Sequence, residues 1–237
     1  MKRFLVAGLG RFGTAVATAL VEGGGEVIGV DHHMGHVEEV KDRIAHAVQL
    51  DSIDAKSLRS VGVADVDVAI VAMGEDFEAA VLTTAALKEL GVKQIISRAT
   101  TEREARILSA VGATRVLQLE AEMGQRLAKT LLATSVLDHI ELSEGYSLIQ
   151  WEVGDDLMGK TLADLELRSK HHVNVLAIKK RIKKEPPPPV EGEEEQVAEP
   201  VIEEKIEPVP RPDYRFEKGD IIILVGREED LERLTSA

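Results

Sequence analysis

Apolar and polar positions in residues 1–118 alternate between two periods. Short, nearly continuous apolar runs at 3–7, 26–30, 47–50, 66–72, 94–97 and 115–119 have the length and composition of strands buried on both faces. The segments between them carry helical spacing. Phe12, Val16, Leu20 and Val21 share one face, as do Val81, Leu82, Ala85, Leu87 and Leu90. Glycines at 23–25, 62, 91 and 112 close successive helices. Strand and helix alternate throughout, which predicts an α/β fold: a Rossmann-type, doubly wound parallel sheet.

Residues 120–134 read as one more helix, with Met123, Leu127, Leu131 and Leu132 as its apolar positions. No strand follows at once, so the helix leaves the sheet. Its stripe packs either on the same sheet or against a second subunit as a crossover or dimer contact. A small α+β C-terminal domain follows. Residues 147–153, 173–178 and 221–225 read as strands, 162–168 as a short helix and 228–234 as a last helix. The expected division is a first domain at 1–137, including the crossover helix, and a second at 138–237.

Composition changes the picture in one place. All eight prolines fall in 185–213, with ten acidic residues against two basic ones, so this stretch carries −8 of the chain's −13. Such a segment is expected to be a disordered, partly polyproline insertion in the second domain. Aromatics make up only 3% of the 237 residues, so the core is aliphatic. There are no cysteines, which excludes disulfides and thiolate zinc sites and suits a reducing cytoplasm. The acidic balance argues against nucleic acid as a partner. No apolar run reaches the roughly 20 residues of a membrane span, and Gly8 and Gly10 interrupt the one that could pass for a signal peptide.

The candidate chemistry sits at the carboxyl ends of the strands. Gly8-x-Gly10-x-x-Gly13 lies between the first strand and the first helix. Gly8 suits a tight turn, Gly10 a close approach of phosphate, and Gly13 tight helix–strand packing. The helix start offers free N–H groups and a partial positive charge to phosphate. Asp31 closes the second strand, where a carboxylate can accept ribose hydroxyls. Arg11 brings charge beyond what a pyrophosphate needs. It fits a third phosphate or a phosphate held by another subunit, unless it points to water. With Asp51, Ser52, Gly74, Arg98 and Glu120 at the other strand ends, the residues line one crevice. His32, His33 and His36 cluster after the second strand, and His171 and His172 pair later, without the spacing of a metal site. No Ser-His-Asp arrangement or activated nucleophile stands out.

The stretches Val6–Gly13, Val30-Asp31 and Ala69–Gly74 resemble the RCK (regulator of potassium conductance) N-terminal domain of TrkA- and KtrA-type proteins, KtrA most closely. Gly159-Lys160-Thr161-Leu162, Leu165–Arg168 and Gly219–Ile222 are similar to the RCK C-terminal domain. The resemblance implies a cytoplasmic regulatory subunit rather than an enzyme, held at the inner face of the membrane by a potassium-transporter subunit. It implies homodimers assembling into an octameric gating ring that ATP and ADP hold in different shapes. Carried over residue by residue, Arg11 reaches the γ-phosphate, Asp31 the ribose, Asp51 the adenine, and Arg98 the nucleotide. Glu120 takes a divalent cation such as Mg or Ca near the phosphates. Phe12, Ser52 and Gly74 complete the site. His33 stands where Asn is frequent, and the insertion replaces a short hairpin. Some relatives bind cyclic di-AMP in the C-terminal domain. The alternatives are an NAD(H)-binding, redox-sensing regulator and an NAD-dependent oxidoreductase, since Asp31 accepts the ribose of either nucleotide.

Overall fold

The computed structural model describes residues 1–132, 135–184 and 201–235, which form two units meeting at Met123/Gly124. The first contains strands β1 (Arg3–Ala7), β2 (Glu26–Asp31), β3 (His46–Gln49), β4 (Val68–Val71), β5 (Gln94–Arg98) and β6 (Arg115–Leu117). Helices α1 (Arg11–Glu22), α2 (Met34–Val40), α3 (Ala55–Ser60), α4 (Phe77–Glu89) and α5 (Glu102–Val111) alternate with them. All strands are parallel, in the order β3-β2-β1-β4-β5-β6. This is the Rossmann order, and it reverses between β1 and β4.

Both faces of the sheet are covered, which is why its strands are apolar without alternation. On one face α1 and α2 pack Ala17, Val37 and Val40 against Val6 and Val27. On the other, α3, α4 and α5 bring Leu58, Leu87 and Leu108 onto Leu5, Ala69 and Ile95. Gly62, Gly91 and Gly112 have positive φ, as helix-closing glycines do.

Helix α6 (Leu119–Leu132) spans the division. The unit boundary therefore falls inside this helix and not at 137/138. Arg126 makes a bidentate pair with Asp138, and Lys129 pairs with Glu228, which fastens the later turns of α6 to the second unit. The expected last residues of this helix, 133 and 134, lie outside the described residues.

The second unit is a five-stranded antiparallel sheet with α7 (Leu167–Lys170) and α8 (Glu228–Thr235). Its strands are β7 (Val136–Ser143), β8 (Tyr146–Glu152), β9 (Asn174–Lys184), β10 (Val201–Glu207) and β11 (Asp220–Arg227), ordered β10-β9-β11-β8-β7. Ile149, Val173, Ile178, Phe216, Ile222, Leu224 and Leu231 form its core.

Two expectations are corrected here. Residues 162–166 are not helical. Their amides are claimed by distant carbonyls, Leu162 N–H by Tyr214 and Ala163 N–H by Pro212, both at 2.9 Å. Thr161 and Asp164 cap one another locally, and Glu166 takes a left-handed φ of 45° before the single turn of α7.

The expected insertion 185–213 is also too long. Its 201–207 part is β10, paired with β9 from Val201↔Lys184 to Glu207↔Ile178. The cause is long-range charge. Lys179 and Arg181 of β9 both meet Glu204, at 2.8 and 3.6 Å. Acidic residues that repel one another within their own segment are neutralised by the basic strand before it. Residues 208–213 are described as well, with the Pro212 carbonyl bonded to Ala163. Residues 185–200 of the expected insertion lie outside the described residues.

A deletion pair tests this reading. Lys184 and Val201 face each other, so an Asn-Gly turn in place of 185–200 closes a hairpin. That change is expected to leave the unfolding midpoint within about 2 °C, whereas deleting 185–213 strips β10 from the sheet and lowers it by about 5 °C or more. Calorimetry showing the reverse order would contradict the assignment of β10.

Candidate functional site

The site is built on the reversal between β1 and β4, where neighbouring loops leave in opposite directions and a crevice opens at the strand ends. Gly8 leaves β1 at φ +93°, and its N–H reaches the Val30 carbonyl at 2.8 Å. Gly13 presses on this turn: a Cβ there would lie 1.8 Å from the Gly8 carbonyl oxygen. Gly10 caps α1 without a side chain, and a Cβ there would meet nothing within 4 Å. The first turn of α1 holds no acidic residue, so its unpaired N–H groups and the dipole face an open, unopposed space.

That space is a cleft of about 1110 Å³. Gly8, Gly10, Arg11, Phe12, Asp31, His33, Asp51, Ser52, Gly74, Arg98 and Glu120 all line it, so the strand-end residues are brought together. Gly13 is not in the lining but supports the turn from behind. His32, His36, Met73, Glu75, Asp76 and Phe77 also line it. None of these is the residue that closes a strand. Residues 73–77 follow β4 through the loop into the first residue of α4.

Asp31 is 7% exposed and organises one end. Its Oδ2 accepts the Leu9 N–H at 2.7 Å and the His36 ring at 3.1 Å, and its Oδ1 accepts the His33 N–H at 2.8 Å. Burial pushes the carboxyl up, but the His33 and Leu9 amides and the His36 ring outweigh it and hold Asp31 below the ordinary carboxylate range. Ser52 shares a 2.8 Å hydroxyl hydrogen bond with the fully buried Thr83, which pins the loop after β3 to α4. Asp51 stays exposed beside it.

Arg98 organises the other end. Its guanidinium lies over Gly74, where a Cβ would come within 2.7 Å of Cζ, so a side chain there would push the guanidinium aside. Its Cζ is 6.0 Å from the centre of the Phe12 ring, and it is ion-paired with Glu120. The Glu120 amide and Arg98 together hold the Glu120 carboxyl below its usual range. The Arg98 Nε is buried with no hydrogen-bond partner among the described residues. An orphaned cationic donor in a cleft is costly unless an acceptor arrives.

The profile of the TrkA-N domain family matches residues 4–119. Over 232 residues, 98% of this chain and 95% of the relative, the sequence is 36% identical to Ktr system potassium uptake protein C of Bacillus subtilis (strain 168). The chain belongs to the Ktr potassium uptake family. It is also 33% identical over 230 residues to Ktr system potassium uptake protein A of Vibrio alginolyticus, covering 97% of this chain and 94% of that one. Two solved structures share the fold. The TrkA-N domain of the inner membrane protein ybaL from Escherichia coli has TM-score 0.51 and 19% identity, over 55% of this chain and 96% of that one. A GsuK channel bound to NAD has TM-score 0.50 and 22% identity, over 100% of this chain and 38% of that one.

The Ktr-family cleft has a charge problem. Asp31, Asp51, Glu75, Asp76 and Glu120 line it against Arg11 and Arg98, five carboxylates to two guanidiniums. Among the described residues no group of three or more His, Cys, Asp or Glu could by itself hold a metal ion. No helix among the described residues is long and apolar enough to cross a membrane.

Proposed function

We propose that this chain is a cytoplasmic, non-enzymatic regulatory subunit of a potassium uptake system that binds ATP and ADP in the cleft and passes the difference to a membrane partner. The observation that carries this reading is the partnerless Arg98 Nε in a cleft that also holds the open Gly10 turn and Asp31. One end suits phosphates and the other a ribose. Asp51 and Ser52 extend the ribose end towards the base.

The excess of carboxylates supports a divalent cation as co-ligand. A polyphosphate entering with magnesium or calcium brings less negative charge, and Glu120 is placed to share the ion once the phosphates release Arg98 from it. Arg11, exposed at the first position of α1, is the group that distinguishes a third phosphate from a second. A ligand biases a two-state assembly only through its differential affinity for the two shapes. In a homodimer, and in an octameric ring built from such dimers, Arg11 of two subunits converging on γ-phosphates supplies that difference.

Equilibrium titration of the full chain with ATP, ADP, NAD and NADH, with and without magnesium, tests the reading. ATP and ADP are expected to bind in the micromolar range, roughly −8 kcal/mol. Tight NADH with no ATP would replace it by redox sensing. Arg11→Ala is expected to weaken ATP more than ADP by about 1–3 kcal/mol, the worth of a charge-assisted contact. Equal losses would remove Arg11 from the γ-phosphate.

A further inference from the structure

Asp31 is more fully engaged than a ribose-binding carboxylate can be if it is to hold both hydroxyls alone. A carboxylate offers about four lone-pair positions. The Leu9 amide and the His36 ring take two on Oδ2, and the His33 amide takes one on Oδ1. His32 Nδ1 stands off Oδ1 at 3.6 Å, beyond hydrogen-bond length, so there is room for one further donor on Oδ1, and a ribose presents two hydroxyls.

The second acceptor is next to the first. His36 lies on α2 and lines the cleft, its side chain 42% exposed. An ionised carboxylate only accepts, so its contact at 3.1 Å makes Nδ1 of His36 the N–H donor. In the neutral imidazole this leaves Nε2 as a bare lone pair. The ring is braced from the side: His33 meets it edge-on at 5.6 Å and is itself backed by His32 at 3.7 Å. The aromatic cluster and the Asp31 contact thus set both the tautomer and the orientation of His36.

Resting on the adenine-nucleotide reading above, we propose that the ribose is read by two groups, one hydroxyl donating to Asp31 Oδ1 and the other to His36 Nε2. His36 is then a specificity-determining residue for ribonucleotides.

The test is competitive binding of ATP, 2′-deoxy-ATP and 3′-deoxy-ATP to the full chain at pH 8. The wild type is expected to bind each deoxy analogue about tenfold more weakly than ATP, the worth of one hydrogen bond. In His36→Ala one of the two penalties is expected to fall to within about twofold, because its acceptor has gone, while the penalty owed to Asp31 persists. Circular dichroism checks that the variant keeps its fold. Both penalties persisting in His36→Ala would overturn the inference. Both vanishing together would also overturn it, since His36 would then act only by holding Asp31. A wild type that binds no adenine nucleotide overturns the underlying reading itself, which is a different result from binding whose selectivity ignores His36.

Discussion

Gly13→Ala is expected to abolish nucleotide binding, by more than about 100-fold, and to lower the unfolding midpoint by about 10 °C. The added methyl would sit 1.8 Å from the Gly8 carbonyl oxygen, 2.9 Å from its carbon and 3.2 Å from the Ala72 Cβ. Two of these are backbone atoms that no rotamer change can move. Either α1 lifts from the sheet, opening the packing of Ala17 on Val6 and Val27, or the turn from Gly8 to Gly10 changes shape. Both routes misplace the N–H groups that face the cleft. Gly10→Ala is the control that separates fold from site. Its φ of −67° suits any residue and its Cβ would meet no protein atom within 4 Å, so the midpoint should stay close to wild type. The same methyl would stand where phosphate approaches, and ATP affinity should fall steeply. Scanning calorimetry and titration on both variants make the comparison. Gly13→Ala that melts and binds like wild type would mean that α1 does not bear on the turn as described.

The parallel sheet was legible because its strands are buried on both faces, which leaves continuous apolar runs whatever the tertiary detail. The crevice followed from the same fact: parallel strands put Gly8, Asp31, Asp51, Gly74, Arg98 and Glu120 at one edge. What local pattern could not reveal were features set by distant partners. β10 looks like part of an acidic linker until Glu204 is read against Lys179 and Arg181. Residues 162–166 have helical spacing, but the carbonyls of Tyr214 and Pro212 take the amides of Leu162 and Ala163. His36 was discounted with the other histidines, because nothing in the spacing reveals that α2 turns its ring back onto Asp31. The partnerless Nε of Arg98 was likewise invisible. It depends on Gly74 making room for a guanidinium carried by a neighbouring strand.

Replacing Leu127 and Leu131 together by Asp is expected to convert an oligomeric protein into a monomer that keeps its ADP affinity and loses the part of its ATP affinity owed to the Arg11 of a second subunit. In the single chain the side chains of Met123, Leu127, Leu131 and Leu132 are 59%, 58%, 74% and 86% exposed, and α6 buries no residue. The first three recur every four residues and so share one face of the helix. Burying a leucine is worth about 1.5–3 kcal/mol, and a two-fold contact counts every residue twice, so a second copy of α6 is a strong candidate cover. Four aspartates at that contact would be buried without partners, a cost that exceeds what the remaining apolar area returns. Light scattering at micromolar concentration decides the outcome. A monomeric wild type sinks the gating-assembly reading, and a double variant with unchanged mass moves the interface elsewhere. The effect bears on regulation through chain continuity. Glu120 lies in the first turn of the same helix and is paired with Arg98. A nucleotide that draws Arg98 away, or a cation that claims Glu120, acts on the start of the element whose later turns carry the stripe. Oligomer size in ATP, ADP and magnesium should therefore differ for the wild type and be lost together with the dimer in the double variant.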